Sequence, residues 1–398
     1  MPYPSSDAND CDGDDVAQPR GSQADQSAAS LLPNPELLHI RSVHRAVADL
    51  RRGTPVLLQG PDAVVLAADT VGSAGLAELA ALAAGPPVLL LSPVRAAALL
   101  RRPVEPGPPI ALRTGGLLDP ALLRGMADPT AAQILAEPPE QAALPAPAAA
   151  ALALVKLGRL LPAALVAPVR ADAAAQAARL GLLTVAAEDV LAFPDVTAAG
   201  LVQVASVHVP LAASADARLV SFRAPDAGIE HMAILIGKPE HADAAGSAPL
   251  ARVHSECFTG DLLGSLRCDC GPQLHAALDR MAAEGSGVLL YLAQEGRGIG
   301  LTSKLRAYAL QDRGLDTLDA NRALGWHADE RNFIPAAAML DQLGIRRVRL
   351  LTNNPDKLTA LAALGVQVEA REPLVIAPNG INNHYLVTKM RRFGHLLD

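Results

Sequence analysis

The chain has 398 residues, a length that suggests two domains, and half of them are hydrophobic, which supplies a sizeable core. Aromatics make up only 3%, so alanine and leucine must fill most of it. The net charge is −7 and no long basic run occurs, which argues against nucleic acid or an anionic membrane as partner but leaves room for a local basic pocket.

Residues 1–34 are polar and acidic without periodicity and read as a disordered leader. They lack a basic segment followed by an apolar run, so no secretory signal is expected. A helix is expected from Arg41, with Val43, Val47 and Leu50 at helical spacing and Gly53 closing it. Pro55–Leu58 and Ala63–Ala68 read as strands around the turn Gln59–Asp62, and Pro87–Leu91 follows an Ala/Leu helix. Ala143–Val169 is the most apolar stretch, but Lys156, Arg159 and several prolines interrupt it. It predicts a buried core helix, not a membrane span, and a cytoplasmic protein is expected.

The pattern changes near residue 200. Val202–Val209, Arg218–Phe222 and Met232–Gly237 alternate and read as strands. Helices are then expected at Gln273–Ala283, Ile299–Gln311, Pro335–Leu343 and Pro355–Leu364, the first three closed by Gly285, Gly314 and Gly344. Strands fall at Val288–Leu292, Arg347–Leu351 and Val366–Glu369. The expected fold class is mixed α/β in two domains, 35–199 and 200–398, behind the leader.

Of four cysteines, Cys11 lies in the leader as a bystander, whereas Cys257, Cys268 and Cys270 fall within fourteen residues. In a reducing compartment such clustered thiols are more often ligands or catalysts than disulfides. Three thiolates without a second knuckle fit a zinc site with one position open for an acidified water. A closed structural zinc with His254 or His275 as fourth ligand fits the same thiolates, and a metal-free buried thiol cluster is the third reading.

Further motifs stand in order. They are Arg252-Val253-His254-Ser255-Glu256-Cys257, Ser265-Leu-Arg-Cys268-Asp-Cys270-Gly, Gln294-Glu295-Gly296-Arg297-Gly-Ile-Gly300 and Leu305-Arg-Ala-Tyr308-Ala-Leu-Gln. Ala328-Asp329-Glu-Arg331, Leu351-Thr352-Asn-Asn-Pro355, His384-Tyr-Leu and Gly394-His-Leu-Leu follow. Over roughly residues 200–398 this text resembles GTP cyclohydrolase II. The resemblance implies opening of the imidazole ring of GTP, with release of formate and pyrophosphate. A diaminopyrimidinone ribosyl phosphate remains, the first riboflavin precursor. It also implies zinc on the three cysteines, Mg²⁺ with the triphosphate, and a homodimer.

By the same resemblance Tyr308 is the catalytic tyrosine near the ring, Arg331 the nucleophile on the α-phosphate, and Asp329 its proton acceptor. Alternate residues of an extended segment share a face, which suits that pair. A guanidinium with a pKa above about 12 is a reluctant nucleophile, so Asp329 must take its proton; electrostatic stabilisation by Arg331 is the milder alternative. Glu295, Gly296 and Arg297 sit at a strand-to-helix turn, where free backbone N–H groups favour anions. Thr352 and Lys357 bracket a second such turn, with Asn354 placed to cap and Pro355 to open the helix. Arg252 is a further clamp. Val253, His254, Ser255, Glu256, Gln273 and Thr317 match the family's nucleotide contacts.

Residues 40–70 resemble the start of dihydroxybutanone phosphate synthase, through Ala46-Val-Ala-Asp-Leu-Arg-Arg-Gly53 and the apolar strand after it. That family needs a cluster of acids to hold Mg²⁺ and move protons, and Leu58-Gln-Gly-Pro-Asp-Ala-Val-Val65 offers one. The expectation is a degenerate, catalytically silent domain kept for stability or dimerisation.

Overall fold

The computed structural model describes residues 35–398 except 116, 133–134, 225–227, 245 and 397–398. The leader and Cys11 lie outside the described residues. A helix Pro35–Arg51 buries Val43, Val47 and Leu50 and ends at Gly53, whose φ of +77° only glycine adopts cheaply. Strands β1 (Val56–Gln59) and β2 (Ala63–Ala67) then pair antiparallel across the expected turn.

With β3 (Val88–Leu91), β4 (Ile110–Arg113), β5 (Gln141–Ala142), β6 (Ala163–Pro168) and β7 (Thr184–Ala186) they form a sheet in the order β5-β4-β3-β6-β2-β1-β7. The second sheet contains β8 (Val202–His208), β9 (Ala217–Arg223), β10 (Glu230–Ile236), β11 (Leu250–Ser255), β12 (Gly287–Leu292), β13 (Arg347–Leu351) and β14 (Gln367–Glu372). Its order is β14-β13-β11-β12-β10-β9-β8. The half from β8 to β12 is antiparallel, and β12, β11, β13 and β14 run parallel. The architecture is therefore mixed α/β with two sheets.

Both faces of the first sheet are apolar. One face packs Leu57, Leu66 and Leu89 into a cluster that also holds Ile299, Leu310 and Trp326 from beyond the second sheet's β12. A shared apolar cluster of this kind explains why the chain from Glu36 onward is one compact unit. None of its described helices is long and apolar enough to cross a membrane.

Two expectations need correction. Ala143–Val169 is not one helix. A helix Ala148–Leu157 ends at Gly158, and β6 follows after Pro162, buried between β2 and β3. A strand buried on both faces is continuously apolar, so hydrophobicity cannot separate it from a core helix. The helix expected from Ile299 starts at Leu301, after a tight turn Glu295–Gly298 in which Gly296 and Arg297 both take positive φ.

Candidate active site

β11, β12 and β13 run parallel, and the segments leaving their C-terminal ends converge on one cleft. Such a crevice is where sheets of parallel strands bind ligands.

The cysteines form one wall. Cys257 follows β11, while Cys268 and Cys270 lead into the helix Cys270–Glu284. The Cys257 and Cys268 sulfurs are 3.8 Å apart, and all three sulfurs lie within 4.8 Å of one another. Between them passes the turn Phe258–Leu262. A Cβ on its Gly260 would stand 2.8 Å from Cys268 Sγ and 2.9 Å from Cys257 Sγ, so only glycine closes over the sulfurs. Among the described residues no histidine or acid joins the cluster. His254 Nε2 faces Asp261 at 3.2 Å, and His275 Nδ1 faces the Gly271 carbonyl at 2.8 Å. Asp261 also accepts from the Cys257 amide at 3.0 Å and from Tyr291 at 2.9 Å, pinning the turn. Three thiols with no fourth protein ligand can hold a metal and leave a position open.

Lys304 donates to Cys257 Sγ at 3.0 Å and to Glu295 Oε1 at 2.9 Å. Burial opposes its charge, but the Cys257 thiolate and Glu295 outweigh that and raise its pKa. One helical turn further, the Tyr308 hydroxyl lies 3.5 Å from Thr259, and burial raises its pKa.

The cleft is cationic. Among the described residues Arg252, Arg297, Lys304, Arg331, Lys357 and Lys389 line it against two acids, Glu256 and Glu295. Burial lowers Arg252 to about 10, and its Nε has no hydrogen-bond partner. Burial depresses Lys357 well below the usual lysine value, and the neighbouring Arg331 and Arg252 add to that; its Nζ donates to the Val253 carbonyl at 2.8 Å. Arg297 stacks on Phe393 at 4.1 Å with a buried Nη1 unpartnered. Buried cations with idle donors are matched by an anion.

Arg331 Nε reaches Asp329 Oδ1 at 2.8 Å and Oδ2 at 3.0 Å. Burial alone would raise the Asp329 carboxyl, but the bonds from Arg331 hold it below the usual range. Gln273 bridges Arg252 and Asp269. Thr352 accepts from the Asn354 amide, while Asn354 caps the helix Pro355–Ala363. His254, Ser255, Gly296 and Thr317 also line the cleft; Asp329 and Val253 reach it through the lining residues they bond, Arg331 and Lys357.

The GTP cyclohydrolase II family model matches residues 202–373. GTP cyclohydrolase-2 of Azospirillum brasilense is 45% identical over 367 residues, 90% of this chain and 94% of its own. The chain belongs to the GTP cyclohydrolase II family. The match to the Azospirillum member is long enough to take in the N-terminal lobe as well. An Escherichia coli GTP cyclohydrolase-2 is 53% identical over 184 residues, 46% of this chain and 91% of its own, the length of the C-terminal lobe. Among solved structures, a two-domain 3,4-dihydroxy-2-butanone 4-phosphate synthase from A. baumannii aligns with a TM-score of 0.31 and 18% identity, over 84% of this chain and 99% of that one.

Within this family member, sequence reasoning passed over Lys304, although it stands one turn before Tyr308. It also missed the helix Asn383–Phe393, which brings Tyr385 and Lys389 to the cleft and is followed by His395. Lys389 pairs with buried Asp269. His395 is lowered to about 3 by burial and then by Lys389 and Arg297, so it faces the cleft neutral.

Proposed function

We propose that this protein hydrolyses GTP to formate, pyrophosphate and a diaminopyrimidinone ribosyl phosphate, the first step of riboflavin biosynthesis. The observation that carries the reading is a three-thiol cluster with an open side, set in a cleft lined by six cations and two acids. The donor set and the glycine cradle fit zinc, held by Cys257, Cys268 and Cys270. Bound there, zinc would supply Lewis-acid activation of water for attack on the guanine ring.

The chain's own groups do the rest. Arg252, Arg297 and Lys357 bind the triphosphate, whose own oxygens would hold the accompanying Mg²⁺, and Arg331 stabilises charge at the α-phosphate. Asp329, held ionised, orients the Arg331 guanidinium through its paired hydrogen bonds. Tyr308, kept protonated by burial, offers a hydrogen bond at the ring end. Lys304 fixes the Cys257 sulfur. We place the protein in the cytoplasm as a homodimer. Leu262, Leu263 and Leu266, which are 70%, 65% and 56% exposed, support a second copy covering that turn. Sedimentation as a concentration-independent monomer would refute the dimer.

Incubation with GTP, Mg²⁺ and zinc is expected to release formate and pyrophosphate in equal amounts. Chelation should stop both, and added zinc should restore them. Pyrophosphate without formate, or bound GTP without turnover, would overturn the reading.

A further inference from the structure

The N-terminal lobe grips the back of the cleft through charged side chains whose partners lie in or beside the catalytic turns. Lys156, on the helix Ala148–Leu157, places Nζ 2.6 Å from Glu330 Oε1, with both side chains mostly withdrawn from solvent (22% and 18% exposed). The same ammonium lies 5.5 Å from the centre of the Trp326 ring. Glu330 stands between Asp329 and Arg331. Its Oε1 also accepts from the His327 amide at 2.8 Å, closing the turn that carries them. Its own amide donates to the Arg297 carbonyl at 3.2 Å. The two turns touch so closely that a Cβ at Gly298 would meet the Glu330 carbonyl oxygen at 2.8 Å.

Two more contacts from the same lobe support the neighbouring elements. Arg159 Nη2 donates to the Ala293 carbonyl at 2.7 Å, just before the Glu295–Gly298 turn. Arg306, on the helix of Tyr308, is held by Asp69 at 2.8 and 3.1 Å and by Asp128 at 3.0 Å. The Asp329–Arg331 segment hangs on the Lys156 contact alone among these.

A fully exposed ion pair would add little, but this one is screened from water and its carboxylate has a second job. Without Lys156, Glu330 would be a half-buried charge beside Asp329 with no counter-ion, and turning it outward would unlatch the turn. A misplacement of about 1 Å from a residue remote from the chemistry can cost about 100-fold in rate.

We propose that Lys156 is a positioning residue for the reaction: through Glu330, the N-terminal lobe sets the place of Asp329 and Arg331. This rests on the GTP cyclohydrolase reading of the cleft. The Escherichia coli relative has no length for such a lobe, so the dependence belongs to the two-lobe chain.

The test uses the full chain with Lys156→Met, Lys156→Arg, and the exchanged pair Lys156→Glu with Glu330→Lys. In Lys156→Met, kcat is expected to fall about 10- to 100-fold while KM for GTP stays within about threefold, because the loss is of geometry and not of substrate contacts. Bound zinc and the thermal midpoint should hold. Lys156→Arg should recover most of kcat, and the exchanged pair part of it. Amide hydrogen exchange should rise in 327–331 for Lys156→Met, whatever the activity. Unchanged kcat and exchange in Lys156→Met would overturn the proposal. So would a loss tracking zinc content or the thermal midpoint, or one that arginine does not rescue. If the parent chain fails to turn over GTP, the functional reading falls, and the exchange comparison still decides whether Lys156 orders the turn.

Discussion

Three thiols packed within hydrogen-bond reach cannot ionise independently. The Cys257 thiol is pushed down by hydrogen bonds from Cys268 and Cys270, helped by Lys304. Cys268 is raised to about 11 and Cys270 is pushed well above the usual thiol value, chiefly because each is bonded to the Cys257 sulfur. A bound dication reverses this ordering, since it favours three thiolates at once. Removing one sulfur should therefore abolish binding, not trim it. Cys268→Ser is expected to lose zinc, measured as metal per chain, and formate release together. Gly260→Ala keeps every ligand yet drives a methyl to within 2.8 Å of Cys268 Sγ, so it should also weaken zinc retention. Full metal content and activity in Cys268→Ser would refute the assignment. The cysteines were legible because their spacing is itself the signal. Lys304 was not, because its partner Cys257 lies 47 residues away and nothing local marks it.

At the scale of elements, segments with their own punctuation were legible. The helix Pro355–Ala363 announces itself with Asn354 as cap and Pro355 in its first turn, and both take those places. The helix Cys270–Glu284 ends at Gly285 in the left-handed conformation, as expected. Elements whose nature depends on distant neighbours were not. The Ala143–Val169 run became helix and strand because β2 and β3 flank its second half. The Glu295–Gly298 turn is the subtler case. Its place between strand and helix was legible, but the helix expected from Ile299 begins at Leu301, because Gly300 at φ +84° and ψ 163° is not helical. Arg297 is held at φ +63°, a region that costs a non-glycine residue about 1 kcal/mol. In return its guanidinium lies on Phe393 with Nη1 idle inside the cleft wall. Phe393 comes from the missed helix Asn383–Phe393, so neither the strain nor its compensation was visible in the local sequence.

For the whole molecule, net charge and site charge have opposite signs. The chain carries −7 overall, while the cleft gathers six cations against two acids, and GTP is an anion. Which field the substrate feels depends on distance. The screening length is about 10 Å at 0.1 M salt and about 3 Å at 1 M. At ordinary ionic strength the acids spread over the surface are already screened from an approaching nucleotide. The cations share one cleft whose low-dielectric walls focus their field, so they still act on it. Added salt then removes attraction and little repulsion. KM for GTP is expected to rise several-fold between about 0.1 and 0.5 M KCl. The change in kcat should stay below about twofold, since contacts made within the closed site are screened far less. A kcat/KM that holds level or climbs over that range would mean that the overall negative charge, not the cleft, governs capture. Arg252, Lys357 and Lys389 would then serve the fold more than the triphosphate.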